Sequence, residues 1–312
     1  MKSIYALPRA ILICLYLTTS NAIQFTNWYP FYTGTLTHGE HNHYCYSNYT
    51  QNVTMYGALD SGTCKNMVKC LMDNPGEVNK ADWSSAIVML GLTPTILGGL
   101  SPTLEQKAKM CWENPILGFL CVLGAPSSPF SRPWERLDKV PSRHFGSRAL
   151  LPKHPASLAA ITLKYLLASA AAANVLQNAI MLGQQTILSW KCTWAYLEIA
   201  WVFLALVPLL FAIGSVYFEG IHAGKQNRQS NILDSLANTL AAGHVVFGTV
   251  VLSAVLFIGT LDALGVFARF AASALICQLI TVLDSDENEV VREMPLPLQQ
   301  ANHAVVDGRR WN

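Results

Sequence analysis

The sequence predicts an all-α membrane protein, a bundle of about five transmembrane helices carrying a small, disulfide-capable N-terminal domain. Three observations predict it. Hydrophobic residues make up 52% of the 312 and charged residues only 13%, about half the share with which a soluble domain covers its surface. Five apolar runs approach or exceed the ~20 residues that cross a hydrocarbon core. The basic residues gather in one loop, as they do on the cytosolic side of membrane proteins. A net charge of +2 is too small to argue for nucleic acid, so the lipid bilayer is the partner that composition implies. Protein partners are not legible.

The first apolar run, Ile11 to Leu17, follows Lys2 and Arg9 and precedes Thr18-Thr-Ser-Asn-Ala22. It is too short to span and ends in small residues, the pattern of a signal peptide over 1–22. Residues 23–83 then form a lumenal or extracellular domain. The span at 84–101 holds Pro94 between Thr93 and Thr95; proline frees a carbonyl there and predicts a kinked helix. The run 115–125 rises only ~16 Å as a helix, about half the core, and reads as a re-entrant or interfacial element. Further spans are expected at 158–182, 195–217, 241–261 and 263–283. The last two leave Asp262 at a tight helical hairpin turn, making them antiparallel neighbours. An acidic, then proline-bearing tail, 284–312, reads as disordered and cytosolic.

Threading follows from two cues. Signal cleavage places 23–83 outside, and the loop 126–157, with Arg132, Arg136, Lys139, Arg143, Arg148 and Lys153, belongs inside. Both give a lumenal N-terminus and a cytosolic C-terminus, in a membrane of the secretory pathway or the plasma membrane. Cys45, Cys64, Cys70 and Cys192 then face the oxidising side and allow two disulfides in three pairings. One arrangement ties Cys192 to the N-terminal domain and holds it over the helices; another is a local Cys64–Cys70 bridge. The sequons at Asn48 and Asn52 fall on the same side and suggest N-glycosylation.

Several stretches carry a resemblance: Cys64-Lys-Asn-Met-Val-Lys-Cys70 running into Asp73-Asn74, Ala86-Ile-Val-Met-Leu-Gly-Leu-Thr-Pro-Thr-Ile-Leu97, and Gly124-Ala-Pro-Ser-Ser-Pro-Phe-Ser-Arg-Pro-Trp-Glu135. With Ala173-Asn-Val175, Ser189-Trp-Lys-Cys-Thr193 and Leu256-Phe-Ile-Gly-Thr-Leu-Asp-Ala263, the chain resembles a group of uncharacterised multi-pass membrane proteins of filamentous ascomycete fungi. The resemblance covers about 64–283. It implies the multi-pass architecture and a fungal source, and it transfers no catalytic residue.

The chemistry-bearing residues are few. His38, His41 and His43, with Glu40 and Cys45, have ligand types for a transition metal, but their spacing matches no established template and an exposed loop explains them as well. Inside the spans, Glu198 and Arg269 fall at similar depths from the lumenal side, close enough in depth to pair. Asn174, Gln177 and Asn178 share one helical face and suit either helix packing or the lining of a polar pathway. No nucleotide loop or hydrolase motif occurs, so no cofactor is implied and nothing favours an enzyme. The expectation is a non-enzymatic sensor, scaffold or assembly factor, with a small-solute transporter or channel as the alternative.

Overall fold

The computed structural model describes residues 25, 28–37, 40–56, 61–73, 75–128, 155–189, 196–221 and 228–293. The signal segment, the basic loop from Arg132 to Lys153, Cys192 and the last nineteen residues of the predicted tail (294–312) lie outside them. The described chain is almost entirely helical: α1 Pro30–Thr37, α2 Glu40–Tyr56, α3 Ser61–Asp73, α4 Glu77–Leu100, α5 Leu104–Glu113, α6 Pro115–Gly124, α7 Pro155–Gln185, α8 Leu197–Leu204, α9 Leu206–Ile221, α10 Arg228–Ser253 and α11 Thr260–Glu293. Two short strands, β1 Ile187–Leu188 and β2 Val255–Leu256, pair antiparallel.

Five segments are long and apolar enough to cross a membrane: Glu77–Leu100, Ala159–Gln185, Leu197–Phe218, Gln229–Ser253 and Thr260–Asp284. They coincide in number and order with the predicted runs and differ at their bounds. Helix α4 starts seven residues before Ser84 and passes through Pro94 unbroken, with the Thr93 hydroxyl donating to Met89 O at 3.0 Å. The third span does break, at Ala205. Pro208 has no N–H for the Leu204 carbonyl, and the helix restarts one residue on.

The last two spans are not the tight hairpin that the sequence suggests. Helix α10 ends at Ser253, β2 follows, and Asp262 lies in the first turn of α11. Helix α4 packs against both α10 and α11 and lies between them. The approach to α10 needs Gly91, whose Cβ would stand 3.0 Å from Ser253 Cβ. Helix α11 continues through Asp284 to Glu293, so the first ten residues of the stretch expected to be disordered are helical. Glutamate is a good helix former, and Asp284 is tied to Lys164 of α7 at 3.4 Å, both side chains buried.

One end of the bundle carries the N-terminal domain. Phe25, Trp28, Tyr32, Leu36, Cys45, Cys64, Met67 and Leu71 form a core that continues into Trp83 of α4, Ile187 of β1 and Phe257 after β2. Phe257 has φ 64°, a left-handed conformation that costs a non-glycine residue about 1–2 kcal/mol. That geometry sets its ring 5.4 Å from Trp28 and 5.2 Å from Trp83, edge to face, contacts worth about 0.5–1.5 kcal/mol each. Asp82 completes the junction. It accepts from the Tyr32 hydroxyl at 2.7 Å and from Thr260 N, the first residue of α11, at 3.3 Å. Burial, and then the hydrogen bond to Asp82, hold the Tyr32 phenol above its usual pKa.

Cys45 and Cys70 are bridged, which ties α2 to α3. The Cys64–Cys70 alternative is therefore wrong, for a geometric reason: six residues on one helix rise ~9 Å, beyond the reach of a disulfide. Cys64 is also disulfide-bonded. Because Cys45 and Cys70 pair with each other and Cys111, Cys121 and Cys277 are free thiols, its partner lies outside the described residues.

Candidate functional site

Two clusters of polar side chains stand out among the described residues of the bundle. The first joins α7 to α11. Asn174 Nδ2 donates to Arg269 O at 2.9 Å and to Ser273 Oγ at 2.8 Å, and Asn178 Nδ2 donates to Val266 O at 2.9 Å. Arg269 answers from α11, with Nε donating to Asn174 Oδ1 at 3.0 Å and a terminal nitrogen to Gln177 Oε1 at 3.1 Å. The three amides read on one helical face thus meet a single neighbour. Small residues on the same helix permit this closeness: Ala168, Ala171, Ala172 and Ala179 are all buried.

The expected Glu198–Arg269 pair does not form. The guanidinium is taken by the α7 amides, while Glu198 sits in the first turn of α8. Its side chain is buried, and neither oxygen has a hydrogen-bond partner. Its position near the amino end of α8 places it where a helix favours negative charge. Lys164 of α7 is buried against Asp284 of α11, at 3.4 Å.

The second cluster was not legible in the sequence. Helices α5 and α6 form a short antiparallel hairpin turning at Asn114. Thr103 and Gln106 cap the start of α5 reciprocally (3.2 and 2.8 Å), and Pro115 opens α6, a position that suits its fixed φ. Gly118 allows the close fold-back, since a Cβ there would lie 2.6 Å from Cys111 Cα. The C-terminal end of α6 is inside the protein. Residues from Cys121 to Ser128 are all buried, and a Cβ on Gly124 would meet Cys277 Sγ at 2.7 Å. Cys277 is ~26 Å along α11 from Thr260.

A helix that ends inside a protein leaves carbonyls without partners. Lys107 supplies the donors. It is 1% exposed, and its Nζ donates to Ala125 O at 2.6 Å, Ser127 O at 2.7 Å and Ser128 Oγ at 2.8 Å. Three acceptors match the three N–H bonds of an ammonium, placed at the helix end where a cation is favoured.

Beside Lys107 is a cavity of about 10 Å³, lined by Lys107, Ser128 and His244 among apolar side chains, a volume that admits a single water. His244 Nε2 donates to Trp201 O at 2.8 Å, a carbonyl left available by the break at Ala205. The imidazole stacks on the Trp201 indole, centroids 5.7 Å apart. The Ser127 hydroxyl is fully buried and has no partner.

Of the remaining expected residues, His41, His43, Asn48 and Asn52 lie on α2. His38 is outside the described residues, His41 and His43 are two apart on the helix, a spacing that does not share a face, and His43 is exposed. Among the described residues no group of three or more His, Cys, Asp or Glu is placed to hold a metal. Asn48 and Asn52 are one turn apart, with Asn52 Nδ2 donating to Asn48 Oδ1 at 3.1 Å.

No protein-family model, no curated protein and no solved structure compared with the chain matches it.

Proposed function

We propose that the chain is a multi-pass integral membrane protein that acts as a non-enzymatic sensor, scaffold or assembly factor through its N-terminal domain. The observation that carries this reading is the use of the bundle's amides. Asn174, Gln177 and Asn178 are the residues a polar pathway would need, and all three bond to α11. In this reading the five long helices span, the N-terminal domain is lumenal or extracellular, and α5–α6 is re-entrant from the cytosolic side. Non-helical backbone at membrane depth is tolerated only where protein encloses it, which is the condition of Ala125–Ser128. The remaining cysteine on the oxidising side is Cys192, and it is the partner this reading gives Cys64. Glycans at Asn48 and Asn52 and kinship with the fungal group belong to the same proposal and rest on the sequence.

Topology is tested in sealed microsomes with a C-terminal tag. A glycosidase-sensitive mass with the tag clipped from outside supports the threading; a glycosylated protein with a protected tag overturns it. Function is tested by Asn174→Ala with Asn178→Ala. Loss of folded protein, at about 0.6 kcal/mol per hydrogen bond, is the expected result. Normal abundance with altered solute flux would favour the second reading, a small-solute transporter or channel. One feature favours that alternative: α6 is a half-helix whose end carries polar backbone into the bundle, as transporter sites do.

A further inference from the structure

We propose that the end of α6 is a monovalent-cation site, built from Ala125 O, Ser127 O and Ser128 Oγ, which the chain fills from within with the ammonium of Lys107. The coordination is what such a site requires: two backbone carbonyls and a hydroxyl, at 2.6, 2.7 and 2.8 Å from Nζ, with no carboxylate among them. Oxygen dipoles without a formal charge suit a monovalent ion better than a divalent one, which is bound by carboxylates. The site has its own orientation, because the carbonyls at a helix C-terminus carry partial negative charge toward it.

Two further observations point to a ligand. The hydroxyl of Ser127, the residue whose carbonyl forms part of the cradle, is buried without a partner, a donor or acceptor still unused. The cavity next to Lys107 and Ser128, about 10 Å³, has room for a guest of about one water, the size class of ammonium and potassium. Among the described residues, the titratable groups that face the site are the Cys111, Cys121 and Cys277 thiols, from α5, α6 and α11, and His244 from α10. No carboxylate is among them to make the lysine one half of a salt bridge. Lys107 is therefore a tethered occupant, and shortening it leaves a vacant cradle with a connected cavity.

The test uses the full-length protein in detergent at mildly acidic pH, with thermal unfolding followed in choline, methylammonium or potassium chloride at equal ionic strength. Lys107→Ala is expected to unfold at a lower temperature than the wild type in choline. Methylammonium, the lysine head without its stem, is expected to restore part of that loss in a saturable way, with potassium acting in the same direction. The wild type, its site filled, is expected to be indifferent to the exchange. An equal response of the two proteins, or none in the variant, overturns the site. Where Lys107→Ala yields no folded protein in choline, expression and purification in methylammonium is the readout. Recovery there alone supports the proposal, and failure in both salts overturns it. Neither result depends on the topology or flux experiments above, so the two readings fail separately.

Discussion

Lys107, Lys164, Glu198 and Arg269 are four ionisable side chains drawn into one helical bundle, and each is accommodated differently. Lys107 takes neutral oxygens, Lys164 a carboxylate, Arg269 amides, and Glu198 the first turn of its own helix. The Lys164–Asp284 contact is the one that can be dissected by a mutant cycle. With side-chain exposures of 9% and 8%, removal of one partner strands a buried charge, at a cost of about 3–5 kcal/mol. Lys164→Met alone is expected to lower the unfolding midpoint strongly, and Lys164→Met with Asp284→Leu to recover most of the loss. Additive losses in the double variant would mean that the two charges act independently. At this scale the sequence singled out Arg269, Asn174, Gln177 and Asn178 as polar residues within apolar helices, yet it offered Glu198 and not the amides as the partner for Arg269. Depth along a helix can be counted from sequence, whereas the azimuth of a helix against its neighbours depends on packing.

The element that departs most from a simple span is the α5–α6 hairpin. Its turn is set by local signals: the capping box at Thr103 and Gln106, Pro115 at the start of α6, and Gly118 facing Cys111. Gly118→Ala places a methyl group against backbone, so the two helices must separate. The expected result is a lower melting temperature together with maleimide labelling of Cys111, which is buried in the wild type. Unchanged labelling would mean that the turn absorbs the methyl group by a small shift. Length alone marked 115–125 as too short to cross. The role of Lys107 was hidden because its acceptors are eighteen to twenty-one residues away, with no periodicity to relate them. The β1–β2 pair was hidden for the same reason: two residues per strand leave no alternation to read, and the partners in register, Ile187 with Leu256 and Leu188 with Val255, are far apart along the chain.

For the whole molecule, the N-terminal domain is held to one end of the bundle by aromatic packing and by Asp82 across Tyr32 and Thr260. The assignment of Cys192 as the partner of Cys64 gives a simple count. Cys192→Ser is expected to add one alkylatable thiol under non-reducing, denaturing conditions, mapping to Cys64, and to leave Cys45–Cys70 intact. A new thiol at Cys45 or Cys70 would show that the pairing is otherwise. The sequence by itself determined that the chain is helical and that five segments are apolar over a membrane-length stretch, because hydropathy and length are local properties. It also separated the short 115–125 run from the long ones. Only the tertiary structure decided which helices are neighbours, with α4 set between α10 and α11, and which cysteines meet. It also decided that a lysine outside every predicted span closes the end of a buried half-helix. Those outcomes depend on small residues such as Gly91, Gly118 and Gly124 letting particular backbones approach, and on carbonyls that need donors wherever a helix stops inside the protein.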